Sequence, residues 1–248
     1  MVNEVVLLAL AFFAAAMLYS SVGHAGASGY LAAMALVGVG PAMMRPTALA
    51  LNILVASIVT IRFHLAGHVR WRALVPFLIG SIPLAFIGGA LVLPAAIYKP
   101  IVGVVLLVAA AQLLRTASRA GEGHTKPTSI PSIPAVVAGA GIGLLSGLTG
   151  TGGGIFLTPL ILFAGWSEAR VAAGISAAFI LANSISGLLG NVVSVQALPP
   201  ELPTWLLAAA AGGLLGAELG ARRLGTPALR RALAVVLVIA GLKLTFLG

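Results

Sequence analysis

Apolar runs of roughly 15 to 22 residues follow one another from end to end of this chain, and a bilayer core demands helices of about that length. In hydrocarbon every backbone N–H and C=O must be satisfied within the protein, which leaves helices or a closed barrel. Ala and Leu dominate and no strict apolar/polar alternation appears, so helices are selected. Composition agrees. Of 248 residues 8% are charged and the mean hydropathy is +1.14, whereas an ordinary soluble domain is about a quarter charged. The expected fold class is an all-α membrane protein, a polytopic helical bundle of about 8–10 membrane segments.

Ten apolar elements can be drawn. The first five are Val5–Tyr19, Gly29–Val39, Thr47–Phe63, Ala73–Leu93 and Pro100–Leu114. The second five are Pro134–Leu145, Gly154–Ala164, Val171–Gly190, Pro203–Gly220 and Ala228–Phe246. The polar stretch Arg115–Ser132 divides them. It predicts a first transmembrane repeat over 1–115, a cytoplasmic linker over 116–132 and a second, inverted repeat over 133–248. Pro76, Pro83, Pro134, Pro159 and Pro203 fall at or inside helix ends, where neighbours in a bilayer can satisfy the freed carbonyls. The opening Met1-Val-Asn-Glu4 carries an acid and no Lys or Arg, so the first run is expected to stay rather than be cleaved.

The shorter elements, near a dozen residues, fall beside glycine-rich breaks and are too short to span alone. The break Ser146-Gly-Leu-Thr-Gly-Thr-Gly-Gly-Gly-Ile-Phe156 has an earlier likeness in Ser20-Ser-Val-Gly-His-Ala-Gly-Ala-Ser-Gly-Tyr30. A slide of about 125 residues lays Tyr30 over Ile155 and Arg45 over Arg170, the mark of two homologous halves. Paired interruptions at matching positions of two halves point to a transport site.

Charge gives orientation. The net charge of +9 comes from bases clustered in the connections: Arg62, Arg70 and Arg72; Arg115, Arg119 and Lys126; Arg170; and Arg222, Arg223, Arg230 and Arg231. With alternating crossings these share one side, leaving Arg45, Lys99 and Lys243 on the other. By the positive-inside rule the rich side is cytoplasmic and both termini lie outside. Each half then crosses an odd number of times, so the halves are expected to be inverted. The basic excess is read as an orientation signal, with membrane lipid and not nucleic acid as the partner.

Inversion carries the two breaks to the midplane from opposite faces. The helices that follow them start near Ser28 and Gly153, and a helix start presents unpaired N–H groups and a positive dipole end, which favour an anion. The expected substrate-binding set follows. Gly26, Gly152, Gly153 and Gly154 let backbone approach a ligand, and Ser21, Ser28, Thr149 and Thr151 add hydroxyls. His24 lies inside the first break, opposite Thr149, as a ligand, a proton acceptor or a structural histidine. Asn52, Ser176 and Asn183 lie mid-run in the elements after the breaks, where such groups line a path or join helices. Arg45 and Arg170 are read as helix-end anchors or vestibule charges, His64 and His68 as interfacial, and His124 as a solvated linker residue.

Absent residues narrow the function. The acids are Glu4, Glu122, Glu168, Glu201 and Glu218, with no Asp, and only Glu218 lies near an apolar interior, four residues before Arg222 at ion-pair spacing. A cation path usually needs a buried carboxylate, so a small anion is the expected substrate. An Asp-containing triad has no Asp, Gly174-Ile-Ser176-Ala lacks the second glycine of a hydrolase elbow, and no His-Glu-x-x-His or phosphate-loop Lys appears. Without cysteine there is no thiolate metal site, and neither a metal nor a cofactor is expected. The chain is not expected to be an enzyme.

At these residues the chain resembles the TauE/SafE family of membrane permeases, described as sulfite or organosulfonate exporters. The resemblance rests on Gly143-Leu-Leu-Ser-Gly-Leu-Thr-Gly-Thr-Gly-Gly-Gly154 with Pro159-Leu, on Ala173-Gly-Ile-Ser176, and on Asn183-Ser-Ile-Ser-Gly187. In the first half it rests on Gly26-Ala-Ser-Gly29 with Arg45-Pro-Thr47 and Asn52. It implies transport of small sulfur-containing or carboxylated anions across a bacterial cytoplasmic (inner) membrane. The combined expectation is a secondary transporter working by alternating access. An anion channel with the same midplane site is the alternative, and a membrane enzyme or assembly subunit the weaker one. The anion, the direction, the coupling ion and the oligomeric state, a homodimer among the options, stay open.

Overall fold

The computed structural model describes residues 2–118, 130–191, 198–222 and 227–246, and among them are ten α-helices and no strand. The first half holds α1 (Val2–Ser20), α2 (Ala27–Val37), α3 (Pro41–Leu65), α4 (Trp71–Ala90) and α5 (Ala95–Ser118). The second holds α6 (Ser132–Thr149), α7 (Gly154–Phe163), α8 (Ala169–Gly190), α9 (Leu202–Arg222) and α10 (Pro227–Phe246). Each expected apolar element is a helix. Arg119, Glu122, His124, Lys126 and Arg223 lie outside the described residues, as do the side chains of Arg222 and Arg230.

Two helices begin well before their apolar stretch. Helix α3 starts at Pro41, not near Thr47, because proline at the first helical position gives up no intrahelical N–H and presets φ. Arg45 is thereby carried inside the helix. Helix α5 likewise starts at Ala95 and takes Pro100 into its second turn.

Among the described residues six helices, α3, α4, α5, α6, α8 and α9, are long and apolar enough to cross a membrane. Helices α2 and α7, of 11 and 10 residues, rise only about 15–17 Å, half of a hydrocarbon core of about 30 Å.

Lipid tails are as apolar as Leu, so helices in a bilayer associate through close packing of small residues. Two glycine ladders supply it. Gly139, Gly143 and Gly147 of α6 lie against the backbone carbonyls of Phe77, Ser81 and Ala85 of α4. Gly212 and Gly216 of α9 lie in the same way against Phe13 and Met17 of α1, and Gly220 against Ser21 just past its end. The numbers rise in step, so each pair runs parallel. At such approach Cα–H groups meet carbonyl oxygens directly. Helices α3 and α8 run antiparallel, with Arg45 bonded to Asn191 at one end and Gly174 packed on the His68 carbonyl at the other. Helices α5 and α10 are antiparallel too, crossing where Gly103 and Gly241 touch.

Exchanging each helix of one half for its counterpart preserves these neighbours. The α4–α6 contact becomes α9–α1, α4–α8 becomes α9–α3, and α3–α8 and α5–α10 map onto themselves. The main core gathers Phe12, Tyr30, Leu31, Met34 and Phe63, and a smaller one surrounds Phe77 and Phe179. Leu10, Ile79, Leu207 and Ile239 stand exposed on the outside, where a lipid-facing bundle places them. Glu218 pairs with Arg62 at 3.4 Å and so ties α9 to α3. Both side chains are half exposed, and such a pair contributes about 0–1 kcal/mol.

The ladders make a direct prediction. A Cβ at Gly147 would collide with the Ala85 carbonyl and lie 2.7 Å from Gly89 N, whereas one at Gly141 would meet open space. Gly147→Ala should lower stability by about 2 kcal/mol through overpacking. Gly141→Ala should be neutral or stabilising by up to about 1 kcal/mol through helix propensity. Thermal unfolding of the purified variants in detergent checks the pair.

Candidate functional site

Both breaks end on a left-handed glycine, Gly26 at φ 110° before α2 and Gly153 at φ 82° before α7. A side chain there would be strained, so glycine is the residue that lets each chain turn into its short helix. Neither helix start has a side-chain cap. The first N–H groups of each are therefore left without an intrahelical acceptor, at the positive end of the macrodipole.

The breaks meet. A Cβ at Gly154 would lie 3.1 Å from His24 Cδ2 and would press on Ile180 of α8. Each break extends from there toward a different end of the antiparallel α3–α8 pair. Gly23 packs on Ala173 near the start of α8, and Gly150 packs on Arg45 near the start of α3.

The second break has a polar wall. A Cβ at Gly152 would sit 2.8 Å from Asn52 Nδ2 of α3 and 3.2 Å from Ser184 Oγ of α8. Asn52 is 0% exposed, and neither of its amide atoms has a hydrogen-bond partner. Ser184 Oγ, Ser146 Oγ and Asn183 Oδ1 are buried and unpartnered as well. Each such group costs about 1–3 kcal/mol, and native interiors keep few of them without a reason. Thr151 is buried beside them, its hydroxyl 3.0 Å from that of Thr149, which also donates to Leu145 O at 2.7 Å. From α5, Tyr98 donates to the Thr149 carbonyl at 3.2 Å and holds the break's start.

The first break is more self-contained. Ser28 donates to the Tyr19 hydroxyl, Tyr30 to Ala25 O, and Ser21 to Leu18 O at 2.7 Å. Ser21 also backs onto Gly220 of α9, so its hydroxyl closes the end of α1. His24 alone reaches across. Its Nε2 lies 3.2 Å from Thr158 Oγ1, which donates to Ser176 Oγ at 2.7 Å, and its Nδ1 lies 3.2 Å from Val22 O. One chain of polar contacts thus joins the first half to α7 and α8.

Of the residues expected from sequence, Asn52, Thr151, Gly152, Gly153, Gly154 and His24 come together around the junction. Thr149 and Ser176 stand one contact behind, and Gly26 turns the chain into α2. Asn183 donates to Phe179 O at 2.8 Å, and no contact places it against either break. Thr158 and Ser184 were not among the expected set. Thr158 lies four residues after Gly154, one turn along the same face, and that spacing was the available signal. Ser184 became relevant only when α8 was placed. Arg170 is exposed, whereas Arg45 is buried. An apolar groove of about 360 Å³ beside α5, lined by Val104, Val108, Leu145 and Phe156 among others, offers an anion no polar group.

A family model described as sulfite exporter TauE/SafE matches residues 7–244. The chain belongs to the TauE/SafE family. A curated protein of Sinorhizobium fredii named a probable membrane transporter protein is 46% identical over 243 residues, covering 98% of each chain. No solved structure matches. This TauE/SafE member is a multi-pass membrane transporter and not an enzyme. Among the described residues no cluster of His and acids could hold a metal ion.

An orphaned amide kept for a ligand leaves a two-sided signature. Asn52→Leu, of similar volume, should raise the stability of the ligand-free protein by about 1 kcal/mol because it removes an unsatisfied buried amide. The same change should abolish stabilisation by the substrate anion. Paired thermal-unfolding scans with and without sulfite read both effects.

Proposed function

We propose that this TauE/SafE-family transporter is a secondary carrier for a small oxyanion, sulfite or an organosulfonate, in a bacterial inner membrane. The observation that carries the reading is the junction of the two breaks, where the uncapped start of α7 adjoins the unpartnered Asn52 and Ser184 and His24 of the first break comes up against Gly154. Apart from His24, the groups there are neutral dipoles. Amide and hydroxyl donors with helix ends can hold a singly or doubly charged oxyanion without a lysine or arginine on it. Neutral donors also keep binding moderate, which a carrier that must release its cargo requires. The family description adds the sulfur oxyanion as the substrate class.

The antiparallel α3–α8 and α5–α10 pairs and the exchangeable neighbours support inverted halves rocking about a shared axis, with the junction exposed to each side in turn. The basic connections, Arg62, Arg70, Arg72 and Arg231 among them, favour the cytoplasmic side for the ends of α3 and α9, with both termini outside. No nucleotide-binding motif is present in the sequence, so an ion or the substrate's own gradient would drive the cycle.

Two measurements on the purified protein test this. Sulfite, sulfoacetate, taurine, sulfate and small carboxylates are screened by thermal shift, and a substrate at 100 times its Kd should add about 2.7 kcal/mol of stability. In proteoliposomes the same anion should show saturable counterflow that Thr151→Val reduces at least tenfold. A non-saturating current would assign the site to a channel. Silence from every anion in both assays would refute the reading.

A further inference from the structure

Arg45 is the one buried charged side chain among the described residues, 6% exposed. Its partners are neutral oxygens. Nη1 donates to Leu91 O at 2.8 Å and, less closely, to Gly88 O at 3.5 Å, and Nη2 donates to Asn191 Oδ1 at 3.0 Å. Leu91 is the C-cap of α4 and Asn191 the C-cap of α8, so the cation rests on two negative helix ends. It thereby fastens α3 and α4 of the first half to α8 of the second.

Three further facts mark this as more than a helix clamp. Asn191 Nδ2 is buried without a partner, next to the oxygen that Arg45 holds. The Arg45 backbone and stem abut the second break, since a Cβ at Gly150 would lie 3.1 Å from Arg45 O and 3.2 Å from its Cγ. The counterpart in the other half, Arg170, is exposed, and around the first break Val22, His24 and Thr158 are only half buried. One end of the path to the junction is sealed by a guanidinium and the other is not.

We propose that Arg45 and Asn191 form a second oxyanion site, which is also the gate at the α3-start end of the pathway. This rests on the reading that an anion occupies the junction. An arriving oxyanion presents charged acceptors in the fork geometry that a guanidinium prefers, and charge-assisted bonds are roughly twice as strong as those to neutral carbonyls. The anion takes the guanidinium from Leu91, Gly88 and Asn191 and accepts the free Asn191 Nδ2 donor. Losing those three bonds releases the ends of α4 and α8 from α3, and the anion passes along Gly150–Gly152 toward Asn52. On its departure the guanidinium returns to the carbonyls and closes the end again. The ligand class is a compact oxyanion with at least two oxygens free on one face, such as sulfite or a sulfonate.

The test uses the full chain, which contains no cysteine, so Ser184→Cys at the junction introduces a single thiol. A membrane-impermeant thiol reagent is applied to either face of oriented vesicles, alone and with sulfite. Arg45→Gln should speed labelling from the α3-start face by roughly tenfold, because it removes the guanidinium's bonds to Leu91, Gly88 and Asn191. Asn191→Asp places a carboxylate on the guanidinium. It should slow labelling from that face by a similar factor and cut sulfite counterflow, while raising the unfolding temperature. Added sulfite should speed labelling in the Ser184→Cys parent and not in Arg45→Gln. If Arg45→Gln fails to fold, Asn191→Asp decides, because it adds a partner rather than removing one. Labelling that is unchanged by Asn191→Asp while stability rises would make Arg45 a static clamp and overturn the proposal. Labelling that follows the two substitutions in protein inert to every anion would leave the gate standing and sink the carrier.

Discussion

Non-helical backbone inside a bilayer must be enclosed by protein, since its free N–H and C=O groups have no water to bond. Everything else in this molecule answers to that requirement, because it carries two such stretches. The glycine ladders of α6 on α4 and α9 on α1 draw the helices around each break to backbone contact. The second break is then walled by α3 and α8, and α8 also packs on the first break at Ala173. Bulky side chains at Gly139, Gly143 or Gly147 would hold the wall off and admit lipid to the orphaned groups.

Enclosure also sets the chemistry. Water is excluded from Asn52, Ser184 and the start of α7, so their dipoles act at low dielectric, where they are stronger and costlier to leave unmatched. The proposed oxyanion would match the donors among them in sign. The first break contributes little to this wall, its Ser21 and Ser28 hydroxyls being bound within their own hairpin. The two breaks hold corresponding places in the two sets of five helices, but their side chains differ. Asn52 faces the second break, while the first packs on Ala173.

Movement would have to act on the links between halves. The His24–Thr158–Ser176 chain and the Arg45–Asn191 contact lie toward opposite ends of the α3–α8 pair. Each is a small set of directional bonds that can break at modest cost, whereas the ladders are continuous backbone packing. In the proposed carrier, α1 with α9 and α4 with α6 would stay rigid pairs while the polar links change.

The sequence by itself determined the helices and their number and marked the two breaks, because spans and breaks are local matters of apolar length and glycine. The acids are few and lie outside the apolar runs, save Glu218, which is why the sequence leads to an anion as the expected substrate. Family membership was legible from Gly143 to Gly154 for the same local reason. The two early helix starts, at Pro41 and Ala95, departed from the apolar pattern because proline at a helix's first turns is tolerated whatever the hydropathy. Only the tertiary structure decided which polar residues share a pocket. Asn52 and Ser184 lie 132 positions apart in the chain, and the antiparallel crossing of α3 and α8 sets both beside Gly152. The same crossing buries Arg45 on the ends of α4 and α8 while its sequence counterpart Arg170 faces outward. Periodicity fixes which side of a helix is apolar, but the partner that a polar group meets depends on how two helices are placed against each other.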